Sequence, residues 1–245
     1  MKRFVTAFIL GAVLLLLGSA KCFACTGIAL TATDGSRVVA RTVEWAASPM
    51  QCGYVVVPRG YRQQSLTPQG QDGLSFTSKY GYVGIWTEYE AIVVEGVNEK
   101  GLSAGLFFFP NYGKYPDFSA AEKSVTLSDM QLVSWVLSQF STIDEVKAAV
   151  SKVRVAGLDS RIGTVHWRIS EPGGRVVVLE FTGGEPHFYE NPLGVLTNSP
   201  GFEWQMLNLN NYVNLVPGSV GANRLAEGVV LNQFGGNSAM LGLPG

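Results

Sequence analysis

The pair Asp34-Gly35, set between two runs of β-prone residues, is the tightest constraint in this sequence. Residues 26–33 and 36–43 flank it, and Asp-Gly in that setting is a strong hairpin signal. A two-residue turn is expected, with Thr33 facing Ser36. Counting back along both strands then sets Cys25 opposite Glu44. The hairpin thus returns Arg41-Thr42-Val43-Glu44 to the neighbourhood of Cys25. Strict alternation puts Arg41 and Glu44 on opposite faces. Both approach Cys25 only if the strand bends or bulges after Arg41.

What precedes Cys25 looks built to be removed. Lys2 and Arg3 open a positive region, Phe4 to Ala20 is mostly apolar, and Ser19-Ala20 and Cys22-Phe23-Ala24 supply small residues before a cut. That is the layout of a secretory signal peptide. The apolar run falls short of the about 20 residues that a membrane span needs. Residues 1–24 are therefore expected to be a signal peptide, and residues 25–245 an exported, periplasmic or secreted domain. A lipoprotein signal, with Cys25 acylated, is the competing reading. It lacks the usual Leu where Cys22 stands, and acylation would block the amine that chemistry at Cys25 needs.

Cleavage after Ala24 removes three basic residues and no acidic ones. Basic residues fall from 18 to 15 against 19 acidic, a net charge of −4. With no basic run or stripe, nucleic acid is excluded as a partner class. At 47% hydrophobic and 15% charged residues, the chain is globular rather than disordered. Of three cysteines, Cys22 leaves with the leader, so Cys25 and Cys52 remain. A disulfide between them is the bland reading of Cys25 in an oxidising compartment.

Strands are expected at 54–57, 79–86, 91–97 and 102–109, with 60–74 as an exposed loop. The aromatic run Phe107-Phe108-Phe109 reads first as buried strand. Helical spacing follows over 126–139. Thr142 and Glu145 are spaced as a capping box for a second helix with the stripe Ile143, Val146, Val150, Val153. Strands return at 164–170, 175–181 and 186–189, then a helix at 202–215. Strands, helices, strands, helix is the order of an α+β fold with antiparallel sheets.

The chemistry centres on Cys25. At a new N-terminus its thiol would attack a carbonyl while its own α-amine, with a reference pKa near 7.7–8.0, takes the proton and later returns it to the leaving amine. Arg41 would stabilise thiolate charge, and Glu44 would orient the amine or the arginine. The bland reading of Arg41 and Glu44 is a surface ion pair, contributing about 0–1 kcal/mol. Asn198, between Thr197 and Ser199-Pro200, can donate to an oxyanion or simply form an Asx turn. A Cys/His enzyme has only His166 and His187 to draw on. His166 reads as a satisfied core histidine beside Trp167, and His187 as a surface turn. No close His/Cys cluster suits a metal, and no cofactor is implied.

Together these stretches resemble the choloylglycine hydrolase family of N-terminal nucleophile amidases, which contains conjugated bile acid hydrolases and penicillin V acylases. The carriers are Cys25-Thr26-Gly27, Asp34-Gly35, Arg41-Thr42-Val43-Glu44-Trp45, Gly96-Val97-Asn98-Glu99-Lys100-Gly101-Leu102, Thr164-Val165-His166-Trp167 and Leu196-Thr197-Asn198-Ser199-Pro200. The resemblance implies a four-layer αββα sandwich of antiparallel sheets and a homo-oligomer. It also implies a small-molecule linear amide as substrate, attacked by Cys25 to give a thioester. Conjugated bile acids are favoured, with penicillin V and N-acyl homoserine lactones as alternatives. A non-catalytic exported protein, with Cys25 lipidated or disulfide-bonded, is the alternative of another class. Arg41 matches the family's active-site arginine, and Glu44 stands where the family most often has aspartate. Asn198 matches the oxyanion-hole asparagine. The second donor is expected to be a backbone N–H near Phe107, with the strand 107–109 lining an acyl pocket. The family has a further active-site arginine beyond a segment like Leu243-Pro244-Gly245. Arg224 lies in another context and does not inherit that role, so the chain is expected to be truncated at its C-terminus.

Overall fold

A computed structural model describes residues 25–44, 49–70, 72–159, 163–212 and 223–231. The expected signal peptide, Trp45 and the segment 243–245 lie outside these residues. The chain divides into two compact units, residues 1–198 and 199–245.

Among its described residues the first unit holds two main sheets and two separate strand pairs. Strands β1 (Cys25–Thr31) and β2 (Arg37–Val43) form the N-terminal hairpin. They are followed by β3 (Cys52–Val57), β4 (Arg62–Leu66), β5 (Asp72–Thr77), β6 (Tyr82–Thr87), β7 (Tyr89–Asn98) and β8 (Ser103–Phe108). Then come β9 (Thr126–Ser128), helices α1 (Leu132–Gln139) and α2 (Ile143–Val150), and β10 (Arg154–Ala156). The unit closes with β11 (Val165–Ser170), β12 (Val176–Thr182), β13 (Glu185–Glu190) and β14 (Val195–Leu196). The large sheet runs β13-β12-β11-β8-β7-β6-β3, all antiparallel, and the small one β14-β1-β2. Helix α1 packs on β7 and β8. On the other face of the large sheet, Arg168 of β11 donates to the carbonyls of Ile28 and Ala40 in the β1–β2 hairpin, at 3.2 and 3.3 Å. Layers on both faces explain why β11 and β12 are buried almost end to end instead of alternating. These are one helix layer and both sheets of the αββα sandwich.

The N-terminal turn is one residue longer than expected. Ala32 N–H donates to the Ser36 carbonyl at 2.9 Å, and Gly35 N–H to that of Ala32 at 3.0 Å. Gly35 takes φ +85°. Three loop residues ending in a left-handed glycine are the bulged hairpin that follows the two-residue form in frequency. Asp34 stabilises it by accepting from the backbone N–H and hydroxyl of Ser36, at 2.9 and 2.7 Å. The register is consequently Cys25 opposite Val43 and Gly27 opposite Arg41.

Two further expectations change. Residues 60–74 are not a loop throughout but hold the hairpin β4–β5. Its inward Ser65 and the backbone of Leu66 are held by the Gln131 side-chain oxygen, at 3.2 and 2.8 Å. Polar side chains in a polar seat leave no apolar alternation to read. The expected helix over 126–139 begins instead as strand β9, which pairs in parallel with β10. Ser128 and buried Asp129 then cap a 3₁₀ turn before α1 starts at Leu132. The capping box at Thr142 forms: Thr142 Oγ1 accepts from Glu145 N–H at 3.2 Å, while Glu145 reaches back to Ser141 N–H at 2.7 Å.

The second unit, in its described parts, holds α3 (Phe202–Asn208), a 3₁₀ turn over Leu209–Tyr212 and the hairpin β15 (Asn223–Ala226) and β16 (Val229–Leu231). Residues 213–215 of the expected helix are outside the described residues.

Candidate active site

The longer turn has a chemical consequence. A one-residue change of register moves a side chain to the other face of a strand. With Gly27 opposite Arg41, Cys25 and Arg41 share a face and meet diagonally, and no bend is needed to bring them together. Glu44, one residue beyond the last pair, is exposed. On the other side of β1, Gly27 pairs with Leu196 of β14. Carried two residues on, that register sets Asn198 across from Cys25. The first strand is therefore flanked by Val43 on one side and by the Thr197-Asn198 turn on the other.

Cys25 is 8% exposed and free, and so is the exposed Cys52; no disulfide joins them. Arg41 is held from several directions. Its Nη1 donates to the carbonyls of Val94, at 3.0 Å, and Leu106. Pairing of β7 with β8 runs from Val97 and Ser103 to Glu95 and Gly105 and goes no further. The guanidinium thus supplies, at the point where the strands part, the donor that the ladder no longer provides. Its carbon lies 4.3 Å from the centre of the Phe107 ring. Burial pulls the Arg41 pKa below its usual value; the negative charges of Cys25 and Glu95, and a hydrogen bond with Cys25, act the other way.

Behind Arg41 lies a partly buried ion pair absent from the sequence-based expectations. Arg168, fully buried, donates to Glu95 at 2.7 Å. Burial raises the Glu95 pKa, against the pull of Arg168 and Arg41. Two glycines make room for the pair. A Cβ on Gly105 would collide with the Glu95 carboxylate, and one on Gly27 would stand 2.5 Å from the Phe107 ring and 2.7 Å from Arg168. The signal lies in Arg168 itself: a charged residue beside Trp167 and Ile169, in a strand whose histidine reads as core, demands a partner.

A cavity of about 110 Å³ is lined by Cys25, Arg41, Val43 and Glu44 together with apolar side chains, among them Ile92, Leu106, Phe108 and Met130. The Phe107 ring is fully buried against Arg41 and is not among the side chains that line the cavity. Its neighbours Leu106 and Phe108, on the opposite face of the strand, do so instead.

The histidines divide as follows. His166 is fully buried, with Nδ1 3.0 Å from Glu180 and Nε2 2.8 Å from the Thr197 carbonyl. Neither ring nitrogen pairs with Cys25, so this is not a Cys/His dyad. His187 is exposed, in strand β13 rather than a turn. The core histidine was legible; Glu180, its partner in the equally buried β12, was not singled out.

Comparison with known proteins gives the same direction. Residues 25–245 match the family described as linear amide C–N hydrolases, choloylglycine hydrolase family. The chain is 31% identical over 227 residues to the bile salt hydrolase/transferase of Clostridium perfringens, covering 90% of this chain and 67% of that protein. It is 31% identical over 172 residues to the bile salt hydrolase/transferase of Lactiplantibacillus plantarum, covering 68% of this chain and 52% of that one. The crystal structure of a mutant conjugated bile acid hydrolase from C. perfringens superposes with a TM-score of 0.71 at 30% identity, over 90% of this chain and 67% of the other. Penicillin V acylase from Agrobacterium tumefaciens shares the fold, with a TM-score of 0.63 at 22% identity, over 80% and 60% of the two chains.

Proposed function

The chain belongs to the choloylglycine hydrolase family of linear amide C–N hydrolases, and from that premise we propose that it is a cysteine-type amidohydrolase whose nucleophile is Cys25. The observation that carries the proposal is the pairing of a nearly buried cysteine with Arg41 in the lining of a largely apolar cavity. Cys25 Sγ attacks the amide carbon. The α-amine freed by removal of residues 1–24 takes the thiol proton and passes it to the departing amine. Asn198 and a backbone N–H near Phe107 receive the oxyanion. The acyl group then remains on Sγ as a thioester until water, deprotonated by the same amine, releases the acid and restores the thiol.

The apolar lining of the cavity takes an acyl group, and the names of the two relatives favour bile salts; a glycine or taurine amide is the bond proposed for cleavage. An acyl panel tests this. Hydrolysis of cholyl amides at a kcat/KM above that for phenoxyacetyl and long-chain acyl amides is expected. Turnover of phenoxyacetyl amides alone would assign the chain to penicillin V instead.

A further inference from the structure

The buried His166–Glu180 pair lies outside the mechanism just given, yet it touches the residue before Asn198. A carbonyl oxygen only accepts hydrogen bonds. The 2.8 Å contact between His166 Nε2 and the Thr197 carbonyl therefore fixes the tautomer: Nε2 carries a hydrogen and donates it. The other nitrogen faces Glu180 at 3.0 Å, and both side chains are closed to water, at 0% and 2% exposure. The ring is also clamped, stacked on Phe109 at 4.5 Å with 7° between the planes. His166 has no freedom to turn away from Thr197.

This donor bridges two strands that do not pair with each other. His166 stands opposite Phe107 in the ladder between β11 and β8, whereas Thr197 ends the small sheet beyond Leu196 of β14. One imidazole thus ties the backbone around Phe107 to the peptide that carries Asn198. An oxyanion donor is effective only when it is already aimed at the charge that develops, and an error of about 1 Å in such a position can cost roughly 10²-fold.

We propose that His166, anchored by Glu180, is a positioning residue that holds the Thr197-Asn198 peptide and thereby aims the Asn198 amide at the oxyanion. This rests on Asn198 being an oxyanion donor, as proposed above, and the test separates the two ideas. Four proteins carrying Cys25 are compared: wild type, Asn198→Ala, His166→Phe and the double variant. Phenylalanine keeps the ring on Phe109 and removes the donor. Asn198→Ala is expected to lower kcat by about 10²–10³-fold, the cost of one oxyanion donor. His166→Phe is expected to lower kcat by about 10–10²-fold with KM within about twofold, since only transition-state binding is touched. In the Asn198→Ala background the His166 substitution should have no further effect on kcat. His166→Gln, which retains an N–H for Thr197, should recover most of the loss.

An unchanged kcat in Asn198→Ala overturns both the oxyanion assignment and this inference. A normal Asn198 effect with an equal His166 loss in both backgrounds, or a loss confined to KM, overturns the inference alone. If His166→Phe fails to fold, Glu180→Gln is run through the same cycle. That isosteric change loosens the anchor of the ring without emptying its seat, and the same non-additivity is expected of it.

Discussion

At the scale of single residues the site is a matter of who shares a face with whom. The sequence shows that Cys25 and Arg41 belong to one hairpin. It misjudges the turn by one residue, because Asp-Gly serves both two- and three-residue loops, and the choice depends on the left-handed Gly35. Arg41 then does two jobs, facing Cys25 and satisfying the carbonyls of Val94 and Leu106. A lysine keeps the charge but not the planar fork of donors. Arg41→Lys is expected to lower kcat/KM by at least about tenfold. It should also reduce stability by roughly 1–3 kcal/mol for each carbonyl left short of a donor. Steady-state kinetics beside a urea melt would measure both, and a variant with unchanged kinetics would deny Arg41 its role at the thiol.

At the scale of elements, the small sheet seats on the large one through positions without side chains. Gly27→Ala would drive a methyl into the Phe107 ring and the Arg168 guanidinium. The expected cost is about 1–3 kcal/mol for overpacking, together with a fall in kcat because β1 also carries Cys25. Wild-type kinetics and melting in the Gly27→Ala variant would show that the seat is not tight. The legible elements were those whose signals are local: the strands 164–170 and 175–181, and the capped helix α2. Those missed depend on distant partners. Strand β4 hides behind Gln131, and β9 reads as helix until β10 pairs with it. Asp129, at that junction, has its pKa raised by burial from 3.8 to about 6. Between these values the folded chain binds more protons than the unfolded one, so this group's contribution falls as pH rises from about 4 to about 6. The loss is roughly 3 kcal/mol at about 1.4 kcal/mol per unit. Asparagine mimics the neutral carboxyl, so urea melts should find Asp129→Asn and wild type closest in stability near pH 4, with wild type losing ground to the variant as pH rises to about 6. A constant difference would contradict the assignment.

At the scale of the whole molecule, fold and family agree with what the motifs implied. The chain spans about two thirds of the C. perfringens relative and about half of the L. plantarum one. The proposed chemistry begins only when Cys25 owns a free α-amine, and so requires removal of residues 1–24. The most direct test is intact-mass and N-terminal analysis of the exported protein, with Cys52→Ser to leave a single thiol in the mature chain, before and after iodoacetamide. The expected result is a chain that begins at Cys25, takes up one alkyl group there and loses amide hydrolysis in proportion. Full activity in a chain that keeps its leader, carries lipid on Cys25 or survives alkylation of that thiol would contradict it.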